Sequence, residues 1–125
     1  MLILPIKLEW LCKIITLDKL EEYREIKPYW TKRLQTIGLL DENGNPTTKT
    51  TNVILRNGYG AGCIEAEVRV TIRKGIGRTE WGAKPGEKYY ILTIREIVNV
   101  SSPDELRHII LKAYEGNRRQ KLFGG

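Results

Sequence analysis

The segment Ile64-Glu65-Ala66-Glu67-Val68-Arg69-Val70-Thr71-Ile72 alternates apolar and polar side chains along its whole length. Because successive side chains of a strand point to opposite faces of a sheet, this alternation predicts a β-strand that buries one face and exposes the other. Glycine-containing turns bound it, at 58–62 and at 75–77. Further strands are predicted on either side, at 53–56 and 89–98, so this part of the chain indicates a mostly antiparallel sheet.

The N-terminal part combines short strands with two helices. Apolar residues recur at helical spacing in residues 8–17, after a first strand in residues 1–7. A short strand, 20–26, follows. Pro28 can then open a second helix, because its missing N–H costs nothing at a first helical position, and Gly38 is expected to end that helix.

The rest of the chain completes one domain. Segment 41–52 is polar and rich in turn-forming residues, which predicts a flexible, exposed loop. Residues 102–105, Ser-Pro-Asp-Glu, form a capping box that predicts a C-terminal helix ending at Gly116, before a basic tail in residues 117–125. We therefore expect a single α+β domain in residues 1–116, with a mostly antiparallel sheet or open barrel, two N-terminal helices and one C-terminal helix.

Length and composition are those of an ordinary globular domain. The chain has 125 residues, of which 41% are hydrophobic and 29% charged. No apolar run approaches the roughly 18 residues of a membrane span, and no signal peptide is recognisable, so we expect no membrane association. The net charge of +6 is compatible with a phosphate-bearing partner such as RNA but does not require one.

The few cysteine and histidine residues indicate in which cellular compartment the protein is found, and they argue against a metal site. Cys12 and Cys63 are predicted to be buried free thiols, because two isolated cysteines do not make a disulfide framework, and this favours a cytoplasmic protein. The only histidine, His108, is expected to have an exposed structural role. These residues lack metal-ligand spacing, so the sequence predicts no metal site and no cofactor.

The segment Lys19-Leu20-Glu21-Glu22-Tyr23-Arg24-Glu25-Ile26-Lys27-Pro28-Tyr29-Trp30 concentrates charged side chains and ends in two large aromatic residues. A lysine beside carboxylates and an arginine can bind phosphate, or become a general base when burial shifts its pKa. The same residues could form a salt-bridged edge strand without function, and spacing alone leaves both alternatives open. On the strand, Glu22 and Arg24 are expected to share one face and Tyr23 to occupy the other.

Residues 17–24, Leu-Asp-Lys-Leu-Glu-Glu-Tyr-Arg, resemble the ASCH domain family signature, Gly-x-Lys-x-x-Glu-x-Arg. Lys19, Glu22 and Arg24 match it, and Leu17 stands at the position of the glycine. Four further segments resemble a bacterial or prophage-encoded branch of that family, namely 4–7, 22–30, 56–59 and 80–82. The resemblance therefore covers roughly residues 1–98.

The resemblance implies a PUA-like β-barrel with helices at its sides and a cleft lined by the signature lysine, acid and arginine. Members of the family are linked to RNA binding, RNA cleavage and amide hydrolysis on an acetylated cytidine. In the hydrolase branch the lysine works with a threonine and with a glutamate from another strand. Here Glu22 stands at the position of that threonine, and Glu65 or Glu67 could supply a second acid.

Three functions remain open. The first is binding of RNA, or of a nucleotide or nucleoside, in a cationic cleft. The second is hydrolysis of RNA or a modified nucleoside, with Lys19 as general base and Glu22 as its orienting or proton-shuttling partner. The third is a phage accessory, protein-interaction module without chemistry, which would use segment 41–52 and the basic tail. The ligand and the oligomeric state do not follow from the sequence. The predicted ligand-binding residues, whose aromatic members could equally be packing residues, are Arg24, Tyr29, Arg33, Arg56, Tyr59 and Trp81.

Overall fold

The computed structural model describes residues 1–58 and 62–101 of the chain. The predicted C-terminal helix, His108, Tyr59 and the basic tail lie outside the described residues. Within them, strands and helices follow each other in the predicted order: β1 (Ile3–Pro5), α1 (Leu8–Ile15), β2 (Glu21–Glu25), α2 (Pro28–Thr36), β3 (Thr51–Asn57), β4 (Ile64–Ile76) and β5 (Lys88–Ser101). A 3₁₀ turn, Thr79–Trp81, lies between β4 and β5. Neither α-helix in this part of the chain has the length and apolar character needed to cross a membrane.

The five described strands form one mixed sheet in the order β1-β3-β4-β5-β2. β1 pairs with β3 in parallel, and the other neighbouring strands are antiparallel. The α+β class and the mixed, mostly antiparallel sheet are therefore confirmed. The prediction of a barrel is wrong for these strands, since β1 and β2 form opposite edges and share no backbone ladder. β1 is only three residues long, and among the described strands it pairs with β3 alone.

The sheet nevertheless curls until its two edges approach each other. The pairing of β5 with β4 skips Val98 and Arg95, and such bulges bend a strand and increase its twist. On the curled sheet, Arg24 of β2 donates a hydrogen bond from Nη2 to the main-chain carbonyl oxygen of Pro5 in β1, at 2.6 Å. A side chain joins the edges where a barrel would have a backbone ladder.

The alternating apolar residues of β4 from Ile64 to Ile72 face the main core, as their pattern predicted. Helix α1 packs against β3, β4 and β5 on this face, through Leu11, Ile14 and Ile15. A second, smaller core combines residues of β2, β5 and the loop between β4 and β5; its buried members are Tyr23, Ala83, Tyr89 and Ile91.

Segment 41–52 contains a hydrogen-bonded turn. The carboxylate of Asp41 accepts hydrogen bonds from the main-chain N–H groups of Asn43 and Asn45, both at 2.9 Å. The hydroxyl of Thr47 donates to the main-chain carbonyl of Gly38 at 2.8 Å. β3 begins at Thr51, so the last two residues of this segment belong to the sheet.

Leu17 has an unusual backbone conformation that directs the chain from α1 into β2. Its φ is +67°, and no other non-glycine residue among those described has a positive φ. The N–H groups of Asp18 and Lys19 both donate to the carbonyl of Lys13, at 2.8 and 3.0 Å, which closes the end of the helix. Because a left-handed conformation costs a residue with a Cβ about 1–2 kcal/mol, this turn is one that glycine would form more easily.

Candidate functional site

Lys19 is buried at the point where this turn enters β2. Its side chain is 1% exposed, and its Nζ donates to the main-chain carbonyl of Trp81 at 2.5 Å. The same Nζ lies 3.1 Å from Oε1 of Glu22. It also lies 5.0 Å from the ring centroid of Trp10 and 4.9 Å from that of Tyr23. The ammonium is thus held by a carboxylate, a carbonyl and two aromatic faces.

Glu22 lies between two cations. It is 6% exposed, and its Oε2 accepts a hydrogen bond from Nη1 of Arg24 at 2.8 Å, while Oε1 pairs with Lys19. Arg24 also donates from Nη1 to the carbonyl of Tyr23, at 2.8 Å. The structure therefore brings Lys19, Glu22 and Arg24 together, with Glu22 and Arg24 interacting along one strand.

The environment of Lys19 lowers its pKa below the ordinary value of a lysine. Burial lowers the pKa of Lys19, the nearby Glu22 carboxylate opposes this effect, and the positive charge of Arg24 adds to it. A protonated lysine has three N–H donors, of which the carbonyl of Trp81 and Glu22 take two. One donor is left for a ligand, and a deprotonated Lys19 would offer a lone pair instead.

These side chains line a cleft of about 320 Å³, near the lower end of the range typical of small-molecule sites. Four aromatic and four charged residues line it, together with parts of β1 and of the loop after the 3₁₀ turn. The lining residues are Pro5, Ile6, Lys7, Trp10, Lys19, Glu22, Tyr23, Arg24, Trp81, Gly82 and Tyr89.

The 3₁₀ turn brings the second tryptophan wall to Lys19. The indole Nε1 of Trp81 donates to the carbonyl of Asp18 at 2.9 Å, next to the bond from Lys19 to the carbonyl of Trp81. Gly82 follows with φ +98°, and a Cβ there would lie 3.1 Å from the ring of Trp10. A glycine at this position lets the backbone lie against the ring of Trp10.

The two tyrosines of the cleft are fixed at their hydroxyl ends. Tyr23 donates to Glu21 and Tyr89 donates to Glu87, both at 2.8 Å. Their ring centroids lie 5.5 Å apart. Burial raises the pKa of both phenols, so they are neutral hydrogen-bond donors at pH 7. The aromatic walls are therefore positioned before any ligand binds.

Three of the predicted ligand-binding residues lie outside this cleft. Tyr29 and Arg56 line a neighbouring hollow of about 270 Å³, together with Ile3, Pro5 and Gly58. The guanidinium carbon of Arg33 lies 3.4 Å from the ring centroid of Tyr29. Of the predicted set, Arg24 and Trp81 line the cleft, and Tyr59 lies outside the described residues.

The suggested second acid does not reach the cleft. Glu65 pairs with Arg56 at 2.9 Å, and Glu67 accepts a hydrogen bond from Asn52 at 2.8 Å. Both glutamates are on β4, which is separated from β2 by β5 in the sheet. Among the described residues that line the cleft, Glu22 is the only carboxylate.

Sequence reasoning missed Trp10, Tyr89 and Gly82, and assigned Tyr23 only to the face opposite Glu22. Trp10 sits beside the buried stripe of α1, which was the available signal, whereas nothing local marks Tyr89 or Gly82. Tyr23 and Glu22 are neighbours on β2, and both line the cleft.

Cys12 and Cys63 are free, as predicted, but half-buried, and partial burial raises the pKa of Cys12. Residues 1–58 and 62–101 contain no group of three or more His, Cys, Asp or Glu side chains arranged to hold a metal ion.

Comparisons of the chain with family models, curated proteins and solved structures gave no match.

Proposed function

We propose that this chain is an ASCH-like, PUA-related domain that binds RNA, or a nucleotide or nucleoside ligand, and that its cleft holds one nucleobase. The observation that carries the proposal is the combination of aromatic walls with Lys19, Glu22 and Arg24 in one small cleft. The protein is then cytoplasmic and encoded by a bacterium or prophage. A protein-interaction module has no comparable feature in its favour among the described residues.

The chemistry of the cleft matches a planar, heteroaromatic ligand. Nucleobases stack on aromatic side chains and offer both hydrogen-bond donors and acceptors at their edges. Glu22 can accept from a ring N–H or an exocyclic amine, while Lys19 and Arg24 can donate to a carbonyl or ring nitrogen. Because Lys19 is buried and paired with Glu22, it is better suited to contact a bound base than to attract a phosphate backbone from solvent.

The conformation of Leu17 supports the relation to the ASCH family. The signature has glycine at this position, and glycine adopts a positive φ without strain. Leu17 keeps that conformation, with φ +67°, although it carries a Cβ. A shared turn geometry at this position is what a common fold for the signature segment requires.

Binding can be followed through the tryptophan fluorescence of the cleft. The protein is titrated with adenosine, cytidine, guanosine and uridine, and with their 5′-monophosphates. We expect saturable binding of at least one base, weakened about tenfold or more in Lys19→Met. Lys13→Met is the matched control, because the Nζ of Lys13 lies 5.1 Å from the ring of Trp10 but Lys13 does not line the cleft. No binding at millimolar concentrations, or equal binding by both variants, would count against the proposal.

A second candidate, hydrolysis of RNA or a modified nucleoside, rests on the lowered pKa of Lys19. A neutral Lys19 amine can take a proton, and Glu22, 3.1 Å away, can orient it or accept the proton. Wild type and Lys19→Met are incubated with RNA and with an acetylated cytidine. A rate that rises with pH in the wild type and vanishes in the variant supports hydrolysis. Equal product from both proteins, or none from either, excludes Lys19 as the base for these substrates.

A further inference from the structure

A second hollow lies next to the cleft and shares a residue of β1 with it. Pro5 lines both spaces, and its carbonyl oxygen accepts the hydrogen bond from Arg24 that joins the edges of the sheet. The second hollow, of about 270 Å³, is also lined by Tyr29 and Arg56. The two spaces are therefore neighbours that meet at Pro5.

Alternating cations and aromatic rings connect the two spaces. The guanidinium carbon of Arg24 lies 5.1 Å from the ring centroid of Trp30, which packs edge-to-face with Tyr29 at 4.8 Å. Arg33 covers Tyr29, with its guanidinium carbon 3.4 Å from the ring centroid. Tyr29 is still 56% exposed, although it is a large aromatic residue. The Tyr29–Arg33 pair thus offers an accessible stacking surface beside the second hollow.

The charges around this hollow suit a phosphate. Arg33 donates to the carbonyl of Tyr29 at 3.0 Å, and within the described part of the chain it has no carboxylate partner. Arg56 pairs with Glu65 through Nη2 and Nε, at 2.9 and 3.1 Å to the same oxygen. A guanidinium has five N–H donors, so each arginine keeps donors for a ligand. Arg33 does not line the hollow itself, but it covers Tyr29, which does, and so adds a positive charge beside it.

We infer that the ligand is a single-stranded RNA segment that occupies both spaces. One base enters the cleft above Lys19, and the neighbouring nucleotide binds at the second hollow. Its base stacks on the Tyr29–Arg33 pair, and its phosphate contacts Arg33 and Arg56. The RNA backbone crosses the sheet edge at Pro5. This inference rests on the proposed function, and it adds that recognition extends over at least two adjacent nucleotides.

The test compares the affinity for a nucleoside with that for a short RNA. The probes are adenosine, cytidine, guanosine and uridine, and the four corresponding RNA homotetranucleotides, measured by tryptophan fluorescence at fixed salt. The variants are Tyr29→Ala and Arg33→Gln, with Lys32→Gln as the matched control. Lys32 is exposed and lies on the same helix, and its replacement removes the same charge, but among the described residues only Arg33 has its cationic group over the ring of Tyr29.

We expect wild type and Lys32→Gln to bind the preferred tetranucleotide at least about tenfold more tightly than its nucleoside, since stacking and a phosphate contact each contribute about that much. Tyr29→Ala and Arg33→Gln should each reduce this ratio about tenfold and leave nucleoside affinity within about twofold. A ratio near one in the wild type, or an equal reduction in Lys32→Gln, would overturn the inference while the nucleoside site stands. If the wild type binds neither nucleoside nor tetranucleotide, the proposed function and this inference both fail.

Discussion

Arg24 in β2 and Pro5 in β1 belong to opposite edges of the sheet, yet Nη2 of Arg24 donates to the carbonyl oxygen of Pro5 at 2.6 Å. Through Nη1 the same guanidinium binds Glu22, which in turn pairs with Lys19. One side chain therefore joins the edges of the sheet and fixes the acid of the cleft. The closure of the sheet and the geometry of the candidate site are linked through Arg24.

The first prediction concerns this dual role of Arg24. Lysine keeps the charge but cannot donate in two directions from a rigid fork, so Arg24→Lys should lose the bond to Pro5. We expect the free energy of unfolding to fall by about 2 kcal/mol in urea unfolding. Amide hydrogen exchange should accelerate in β1 more than in β4. Arg69→Lys, in an exposed pair with Glu96, is the control and should change little. An equal effect of the two substitutions would contradict the closing role.

Among Lys19, Glu22 and Arg24, we predict that Glu22 is the residue whose replacement destabilises the protein most. Glu22→Gln leaves Lys19 and Arg24 close together without an acid, and breaking a buried ion pair typically costs about 3–5 kcal/mol. Glu25→Gln on the same strand removes a carboxylate that pairs with Lys27 in an exposed position, so it should have little effect. Thermal and urea unfolding of both variants compare the two sites. Similar stabilities would show that the buried cluster contributes no more than the surface pair.

Lys19 should give folding stability a specific pH dependence. Burial lowers its pKa in the folded state below the unfolded value of 10.5. Between these two pKa values the unfolded chain binds more protons, so stability rises with pH, and below the folded pKa the full cost of burying the charge is present. The stability of wild type relative to Lys19→Met should therefore increase as pH rises from 7 toward 10.5. Tyr23 and Tyr89 titrate in both proteins, so their contributions cancel. A constant difference in urea unfolding across this range would refute the lowered pKa.

Because Leu17 is left-handed, glycine should be tolerated better than alanine at this position, which is the reverse of their order within a helix. Leu17→Gly and Leu17→Ala both remove the side chain, but glycine accepts φ +67° without strain, so Leu17→Gly should be more stable by about 1 kcal/mol. At Lys13, in the last turn of α1, alanine should instead be more stable than glycine by about 1 kcal/mol. Denaturant unfolding of the four variants measures both differences. If the alanine variant were more stable than the glycine variant at both positions, Leu17 would not be left-handed in solution.

Local patterns predicted the strands and helices well. The alternation in β4 gave its buried face, and Pro28 marked the start of α2. The openness of the sheet could not be predicted in the same way, because it depends on which distant strands pair and on two bulges in β5.

The site was predicted only where its residues are close in sequence. Lys19, Glu22 and Arg24 lie within one turn and strand, so their convergence follows from local geometry and the signature. Trp81, whose carbonyl accepts the hydrogen bond from Lys19, lies 62 positions further along the sequence, and no local sequence pattern predicts that contact. Tyr29 and Arg56 were expected to serve the same cleft, but they line the neighbouring hollow instead.

The most direct test of the central claim uses the indole N–H signals of the three tryptophans. Trp10 and Trp81 line the cleft, whereas Trp30 packs between Arg24 and Tyr29 and does not line it. Two-dimensional ¹⁵N–¹H spectra are recorded while adenosine, cytidine, guanosine or uridine is added. For at least one nucleoside, we predict saturable shifts of the Trp10 and Trp81 signals that exceed the shift of Trp30. Unchanged Trp10 and Trp81 signals at millimolar concentrations of all four nucleosides would contradict the claim that this cleft holds a nucleobase.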